Sequence, residues 1–312
     1  MNEFEINNRY KNNLFINNPN FESDIKIILD KTINEYTKVF FSIIIPVHNQ
    51  ESIIINNIES ILTNTTEKNY EIILILDSCD DNTEQKILNY FDNITNDKVI
   101  LLNKILILQS NIPLFETTSD NLGCFCAKGE YLLEIQADME MTQYGYNMKL
   151  LKPFLMRNDI LGVSGRCCHN FIGNKGIGKL GYNITKPLCE IKNININSFY
   201  IGETCNRGPL LLNSQKFKDL GYFDECNYFL DDSDHDLFAR GFLQKKWVCG
   251  YVPIEFNSPL SNGSTRKKRN EINEKYYNLK KQSTQNGING FFKQNLNKLL
   301  EKEREIEMYY ML

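Results

Sequence analysis

Short apolar runs alternate with amphipathic stretches along most of the chain. The runs FSIIIPV, from Phe41, and YEIILIL, from Tyr70, are almost continuously apolar, as expected of strands that are buried on both faces. Residues 51–62 carry isoleucine and leucine at helical spacing, and a second helix is predicted to follow the polar turn 77–83 toward Tyr90. Strand, helix, strand and helix in this order predict an α/β fold with a doubly wound sheet that has helices on both faces.

Further segments extend this pattern and divide the chain into three parts. Apolar segments at 99–102 and 105–108, a small-residue helix at 121–128 and a strand at 131–135 continue the sheet. Residues 1–38 are predicted to be an N-terminal helical arm, because Ile25, Ile28, Leu29 and Ile33 fall on one helical face. Residues 39–260 form the predicted main domain. Residues 261–312 are predicted to be a basic loop and a C-terminal helical extension, with one amphipathic helix over 291–312.

Composition narrows the possible partners. The chain has 312 residues, 42% hydrophobic and 24% charged, as in an ordinary globular protein, and its net charge of -4 argues against nucleic acid. No apolar run approaches the roughly 18 residues of a membrane-spanning helix, and the Asn-rich start lacks the apolar region of a signal peptide. The predicted location is cytoplasmic, with peripheral contact to a membrane left open. The nine cysteines show no disulfide or zinc spacing and are predicted to be reduced.

Two acidic residues follow the strand at 131–135. Asp138 and Glu140 lie at the carboxyl end of this strand, which is where α/β sheets bind ligands. Carboxylate oxygens in this position suit Mn²⁺ or Mg²⁺ that arrives with a diphosphate, because such ions take most of their ligands from phosphate and water. The alternative is that the two acids only end the strand and stay solvated.

A second acidic group precedes a helix one hundred residues later. Asp231, Asp232, Asp234 and Asp236 occur within six residues in YFLDDSDHDLFARGF. One acid is enough to cap a helix, and four so close together repel each other. We therefore expect some of them to be held by a cation, by the backbone or by a role in proton transfer. His235 is expected to be an exposed helix residue.

Five ordered motifs resemble the family 2 glycosyltransferases with a GT-A fold. They are SIIIPVHNQE, EIILILDSCDDNT, NLGCFCAKGEYLLEIQADM, GPLLLNSQKFKDLGYFDE and DSDHDLFAR, and they cover roughly residues 40–259. The resemblance implies a Rossmann-like, mixed sheet that joins a nucleotide-binding half to an acceptor-binding half. It also implies an inverting, metal-assisted transfer of a sugar from a nucleotide diphosphate to the hydroxyl of a glycan, lipid-linked or protein acceptor.

The resemblance also assigns residues to the donor. Pro46, Val47, His48, Asn49 and Glu51 match the part of the family that frames the nucleotide base. Asp77 matches the acid that hydrogen-bonds the base, although Leu76 stands where the family usually has a preceding acid. The remaining donor positions are Asp81, Gln136, Ala137, Asp138 and Arg207.

The metal and catalytic positions depart from the family in places. Asp138 matches the second acid of the DxD motif, but Gln136 replaces the first, and Glu140 is expected to supply the other carboxylate. Asp234 matches the aspartate that acts as general base, with Asp232 as the alternative. The family's histidine ligand after the last strand is replaced by Asn257 and Ser258.

Other functions remain possible at this point. A catalytically inactive module that binds nucleotide sugar or glycan would also explain Gln136 and the missing histidine. A nucleotidyltransferase would need a glycine-rich, basic loop after the first strand, which PVHNQES lacks, and no GxGxxG motif supports a dehydrogenase.

GNKGIGKL, at 173–180, resembles a phosphate-binding loop but has Leu180 where Ser or Thr is required, so we interpret it as a glycine-rich loop. Arg266, Lys267, Lys268 and Arg269 are expected to be a solvated loop or to close over the diphosphate.

Overall fold

A ten-stranded mixed sheet forms the centre of the protein. The computed structural model describes residues 2–10, 25–95, 99–172, 175–178, 194–258 and 274–311. The strand order in the sheet is β1-β4-β3-β2-β5-β11-β6-β12-β9-β13. These strands are β1 Ile25–Thr32, β2 Phe41–Val47, β3 Tyr70–Asp77, β4 Leu102–Ser110, β5 Tyr131–Glu134, β6 Ile160–Ser164, β9 Ser198–Gly202, β11 Leu210–Asn213, β12 Val248–Tyr251 and β13 Glu307–Tyr310.

The first half of the sheet is the parallel part that the apolar runs predict. β2 pairs in parallel with β3 and β5, and β3 pairs in parallel with β4. Each crossover contains a helix: α2 Ile54–Asn64, α3 Thr83–Asp92 and α4 Phe115–Cys126. Because parallel strands end at the same edge of the sheet, the loops after β2, β3 and β5 lie along one edge.

The second half continues the same sheet with mixed directions. β11 runs antiparallel to β5 on one side and to β6 on the other, and β12 runs parallel to β6. The helices of this part are α5 Tyr146–Met156, α6 Ser214–Asp219, α7 Ser233–Arg240, α8 Glu274–Gly287, α9 Phe291–Gln294 and α10 Leu296–Leu300. The five-residue π-helical turn Gly241–Lys245 extends α7.

Hydrophobic side chains fill both faces of the sheet. One core packs α2, α3 and α5 against one face and includes Ile58, Ile87 and Leu150. The other packs α4 and α7 against the opposite face and includes Leu122 and Phe238. Helices on both faces of a mixed sheet confirm the predicted fold class.

The N-terminal arm differs from its prediction. Glu3–Tyr10 form a helix, α1, but the segment that was expected to be an amphipathic helix is strand β1. β1 pairs antiparallel with β4 from Ile25↔Ser110 to Thr32↔Lys104, with a register shift between Ile27 and Leu29. The helical interpretation of 25–33 is therefore wrong. The edge of β4 that faces away from β3 offers backbone N–H and C=O groups, and pairing with them makes this segment a strand. The spacing of apolar residues within the segment contains no information about that pairing.

The C-terminal prediction of one long helix is also wrong. Residues 291–300 form two short helices, α9 and α10, and residues 307–310 form β13, which pairs antiparallel with β9. The ring of Tyr309 stacks on Phe199 of β9, with ring centroids 5.2 Å apart. β13, like β1, lies at an edge of the sheet, and its pairing with the neighbouring strand makes it a strand.

A small second sheet lies next to β12 of the main sheet. It contains β7 Cys167–His169, β8 Gly176–Gly178 and β10 Thr204–Cys205 in the order β10-β7-β8. The glycine-rich segment therefore contributes a strand where it is described, and positions 173–174 and 179–180 lie outside the described residues. The same holds for the predicted basic loop with Arg266 to Arg269. Among the described residues, no helix has the length and apolar character needed to cross a membrane.

Candidate active site

Hydrogen bonds join the loop after β2 to the loop after β3. The side-chain oxygen of Asn49 accepts from the backbone N–H of Asp80 at 2.9 Å. The N–H of Glu51 donates to Asp81 at 3.1 Å, and the Glu51 carboxylate accepts from the N–H of Asn82 at 3.1 Å. These contacts bring the predicted base-binding residues of the two strand ends into one continuous rim, held by backbone groups that cannot change charge.

Pro46, Val47 and His48 complete this rim. Pro46 and Val47 are the last residues of β2, and the Val47 side chain is buried in the core. His48 Nδ1 lies 2.7 Å from the carbonyl oxygen of Asp77 at the end of the neighbouring strand. The ends of β2 and β3 are therefore connected where the sequence predicts the nucleotide base to bind.

The carboxylate of Asp77 orients the start of α4. One of its oxygens accepts the N–H of Leu114 at 2.6 Å and the other accepts the N–H of Phe115 at 2.9 Å. Burial raises the pKa of Asp77, and these two backbone donors act in the opposite direction. Phe115 has a left-handed φ of 60°, so Asp77 stabilises a backbone conformation that a residue with a Cβ seldom adopts.

The first turn of α4 contacts three segments that carry predicted site acids. Its backbone start is bound by Asp77, and Glu116 accepts a hydrogen bond from the side chain of Gln136 at 2.9 Å. The Thr117 hydroxyl donates to the Ser233 hydroxyl, at the start of α7, at 3.1 Å. This one turn therefore touches the end of β3, the segment after β5 and the beginning of α7. The sequence predicted a helix only at 121–128, so this connection was not foreseen.

The segment after β5 is held by α2 and by the segment that follows β12. The side-chain amide of Asn57 donates to the carbonyl oxygens of Gln136 and Met139, at 3.1 and 2.6 Å. Ala137 and Asp138 between them are buried, at 5% and 8% exposure. Glu140 and Asn257 exchange two backbone hydrogen bonds of 2.8 Å each. Asn257, which stands in place of the expected histidine, is thus adjacent to the predicted metal segment.

Gln136 is engaged on both sides. Its amide nitrogen donates to Glu116, and its amide oxygen lies 3.4 Å from the Arg166 guanidinium. Gln136, which replaces the first DxD acid, therefore links the carboxylate of Glu116 to the guanidinium of Arg166. The predicted metal residues Asp138 and Glu140, with Asn257 beside Glu140, carry the hard oxygen atoms that Mg²⁺ or Mn²⁺ prefers.

Arg207 is buried among acids. Its guanidinium donates to Asp120 at 2.8 Å and lies 3.5 Å from Glu116. Burial and the charge of Glu116 raise the pKa of Asp120 to about 7, although Arg207 opposes this. Burial, together with the charges of Asp120 and Glu116, also raises the pKa of Glu134 well above its usual value. Arg207, which was predicted to contact the donor, is thus already paired with acids of α4.

Asp234 is paired with the residue that follows it. The ring Nδ1 and the backbone N–H of His235 both lie 2.8 Å from Asp234 Oδ1. Burial alone would raise the pKa of Asp234, but His235 and the more distant Arg207 lower it. Burial likewise opposes protonation of His235, yet the carboxylates of Asp234 and Asp232 raise its pKa. Asp234 is therefore an anion throughout the physiological range.

His235 is not the exposed helix residue that the sequence predicted. Only 17% of its side chain is accessible, because its ring packs against His169 and Phe292, with centroids 5.1 and 5.6 Å away. The spacing of residues within α7 cannot predict these contacts, because the two rings come from β7 and α9.

The other acids of this segment have different partners. Asp232 is 38% exposed and forms an ion pair with Lys293 of α9 at 2.8 Å. Asp236 is fully buried and accepts from Arg240 at 2.7 Å and from the N–H of Phe292 at 2.9 Å. Asp231 is half exposed. Of the four acids, Asp234 alone combines burial with a pKa that the charge of Arg207 lowers.

Sequence reasoning missed several residues of this region. Glu116 and Asp120 are four residues apart, a spacing that places them on one face of a helix once α4 is known to begin at Phe115. Glu134 is an acid inside an otherwise apolar strand, which is a signal for a buried polar contact. Arg166 and Asn57 carried no pattern that distinguished them from other polar residues.

Comparison with known proteins gives a family match. The family model described as Glycosyl transferase family 2 matches residues 42–170. Over these residues the chain is similar to glycosyl transferase family 2, and its fold matches that of GT-A glycosyltransferase structures. No curated protein sequence matches this chain.

Solved structures of three glycosyltransferases resemble the chain in fold. S. aureus TarS 1-349 in complex with UDP-GlcNAc has 16% identity and a TM-score of 0.52, covering 85% of this chain and 71% of that one. GalNAc-T7 with UDP, GalNAc and Mn²⁺ has 15% identity and a TM-score of 0.52, covering 70% and 43%. The mannosyltransferase PcManGT from Pyrobaculum calidifontis, with GDP-Man and Mn²⁺, has 10% identity and a TM-score of 0.50, covering 74% and 58%. The chain thus spans less than half of the GalNAc-T7 chain.

Proposed function

We propose that the protein is an inverting glycosyltransferase that moves a hexose from a nucleotide-diphosphate sugar to an acceptor hydroxyl. The observation that carries this proposal is the first turn of α4, which contacts Asp77, Gln136 and Ser233 and so brings donor-side and acceptor-side residues to one edge of the sheet. The nucleotide-sugar complexes of TarS and PcManGT support a donor of this class.

The donor is proposed to bind along the rim formed by the ends of β2 and β3. Pro46 to Asn49, Glu51, Asp77 and Asp81 surround the base and ribose, and the diphosphate extends toward Asp138 and Glu140. A divalent ion held by these two carboxylates would neutralise charge on the leaving diphosphate. The Mn²⁺ in the complexes of GalNAc-T7 and PcManGT supports this cofactor, with Mg²⁺ as the alternative.

Asp234 is proposed to act as the general base. Its carboxylate takes the proton of the acceptor hydroxyl while that oxygen forms a bond to the anomeric carbon and the bond from this carbon to the diphosphate breaks. Attack from the side opposite the leaving group inverts the anomeric centre. His235 keeps Asp234 ionised, so the base is ready at neutral pH. Asp232 is the weaker candidate, because its carboxylate is paired with Lys293.

The metal role can be tested with the donor alone. Asp138→Ala is expected to weaken Mn²⁺-dependent binding of nucleotide sugar, measured by calorimetry with and without the ion. Asp219→Asn, at the exposed end of α6, serves as a control and is expected to bind as the unmodified protein does. Equal donor affinity with and without Mn²⁺ would contradict the metal-assisted mechanism.

A binding module without catalysis is the second candidate function, because Gln136 contributes no charge and is engaged by Glu116 and Arg166. Slow hydrolysis of the nucleotide sugar separates the two. A working enzyme transfers some sugar to water, whereas a module binds the donor and leaves it intact.

A further inference from the structure

Three carboxylates converge beneath the segment that follows β5. Glu116, Asp120 and Glu134 each bring one oxygen within 4.8 Å of the others. Each carboxylate is also held in place by a donor: Glu116 by the Gln136 amide, Asp120 by Arg207, and Glu134 by the N–H of Gly208 at 2.6 Å. Donors that fix one oxygen of a carboxylate and leave the other available are typical of the surroundings of metal ligands.

Two oxygen atoms in this group have no hydrogen-bond partner. Asp120 Oδ1 and Glu134 Oε1 are both buried and unpaired within the part of the chain that the structure describes. Their residues are only 0% and 3% exposed. Buried polar atoms nearly always find a partner, and the exceptions point to a ligand, a water or an ion. Both atoms are acceptors when the carboxylates are ionised, so a cation or a proton would satisfy them.

The charge of the group distinguishes a divalent cation from a proton. The three carboxylates and the single guanidinium of Arg207 leave two negative charges uncompensated. Asp234 lies nearby but is already paired with His235, and Arg166 contacts Gln136. One proton would leave a buried negative charge, whereas one divalent ion, or one proton on each of two carboxylates, would balance the group.

We propose that Glu116, Asp120 and Glu134 form a binding site for a hard divalent cation beside Arg207. The ligands differ from Asp138 and Glu140, so this site is additional to the metal position of the proposed transfer reaction. Oxygens on opposite sides of Ca²⁺ are separated by about 4.8 Å, so three oxygens that lie within 4.8 Å of one another can all reach an ion of this size. The ion would orient Glu116, which in turn holds the side chain of Gln136.

The test is to measure binding of Mn²⁺ alone, without nucleotide or acceptor. Equilibrium dialysis or the electron paramagnetic resonance signal of free Mn²⁺ gives the number of bound ions, and competition with Ca²⁺ and Mg²⁺ identifies the preferred ion. The decisive variant is Glu134→Gln, which removes one charge and keeps the shape. Glu71→Gln is the matched control, because Glu71 is equally buried but is hydrogen-bonded by Ser42 and by the N–H of Lys128.

The expected result is one Mn²⁺ ion per chain in the unmodified protein, in Glu71→Gln and in Asp138→Asn. Glu134→Gln is expected to bind it at least 10-fold more weakly. If Glu134→Gln does not fold, Asp120→Asn gives the same comparison. Absence of binding at millimolar Mn²⁺ overturns the proposal, as does binding that Asp138→Asn abolishes and Glu134→Gln retains.

The competing explanation, a proton shared by Asp120 and Glu134, has its own result. It predicts no Mn²⁺ binding and a higher melting temperature for Glu134→Gln, because the neutral amide relieves repulsion between buried acids. Since neither donor nor acceptor is present, a failure of the proposed transfer reaction would leave this measurement unaffected.

Discussion

The acids that follow β3 and those around α7 are stabilised in different ways. Asp77 and Asp81 accept hydrogen bonds from backbone N–H groups of neighbouring loops. Around α7, Asp234 is paired with a histidine, Asp232 with a lysine and Asp236 with an arginine. Asp120 of α4 is likewise paired with Arg207.

Backbone donors fix the position of a carboxylate, whereas charged side-chain partners also make the stability of one residue depend on the other. A backbone N–H orients a carboxylate, has no charge and cannot be removed by substituting a side chain. A cationic side chain also orients the carboxylate, but a change in either partner leaves the other charge buried and unpaired. We therefore expect the first region to tolerate substitutions independently of one another, and the second to respond as a coupled group. The following experiments test that contrast in order of expected effect.

Removing the proposed base should have the largest effect. We expect Asp234→Asn to lower the rate of sugar transfer by about 10²–10⁴-fold, because the amide cannot accept the proton of the acceptor hydroxyl. Donor binding should stay within a few-fold of its original value, measured by calorimetry. Asp231→Asn, in the same segment but half exposed, is the control and should retain its rate. Unchanged turnover of Asp234→Asn would remove the assignment.

The next effect concerns stability in the second region. Arg207→Met should lower the free energy of unfolding by about 3–5 kcal/mol, because Asp120 would keep a buried charge without its partner. Urea denaturation measures this loss. Arg157→Met breaks a partly exposed pair with Asp159 and should cost less than about 1 kcal/mol. Adding Asp120→Asn to Arg207→Met should recover part of the loss, and strictly additive losses would contradict the coupling.

A smaller loss is expected in the first region. Asp77→Asn should lower the free energy of unfolding by about 1–3 kcal/mol, because its side-chain amide can accept from only one of the N–H groups of Leu114 and Phe115. Asp80→Asn, which is exposed, should change stability by less than about 0.5 kcal/mol. If the loss for Asp77→Asn depended on the presence of Arg207, the two regions would not be independent.

The smallest effect depends on pH. The pKa of His235 is raised in the folded protein, so protonated His235 contributes stability below its unfolded pKa of about 6.5, and the contribution disappears as the pH rises through the folded pKa. His235→Gln should therefore be destabilised by about 1 kcal/mol below pH 6.5 and by progressively less at higher pH. Thermal unfolding between pH 5 and 9 measures this. A difference that does not vary with pH would show that His235 is neutral when folded.

Much of the fold and part of the site could be predicted from local patterns. The runs at Phe41 and Tyr70 identified β2 and β3, since continuous apolar stretches need no distant information to indicate buried strands. The polar turns that follow identified the loops that carry Asp77 and Asp81. Residues 25–32 illustrate the limit, because their spacing fits a helix and their conformation is set by pairing with β4.

What the sequence by itself determined is the class of the domain, the buried strands β2, β3 and β5 and the acids at their ends, because apolar periodicity and turn residues are local properties. Only the tertiary structure decided which partner each acid has. Arg207 lies 87 residues from Asp120, and their contact requires β5 and β11 to pair and α4 to pack on that face. The charge of a buried group depends on such neighbours, so the site's electrostatics exist only in the folded chain.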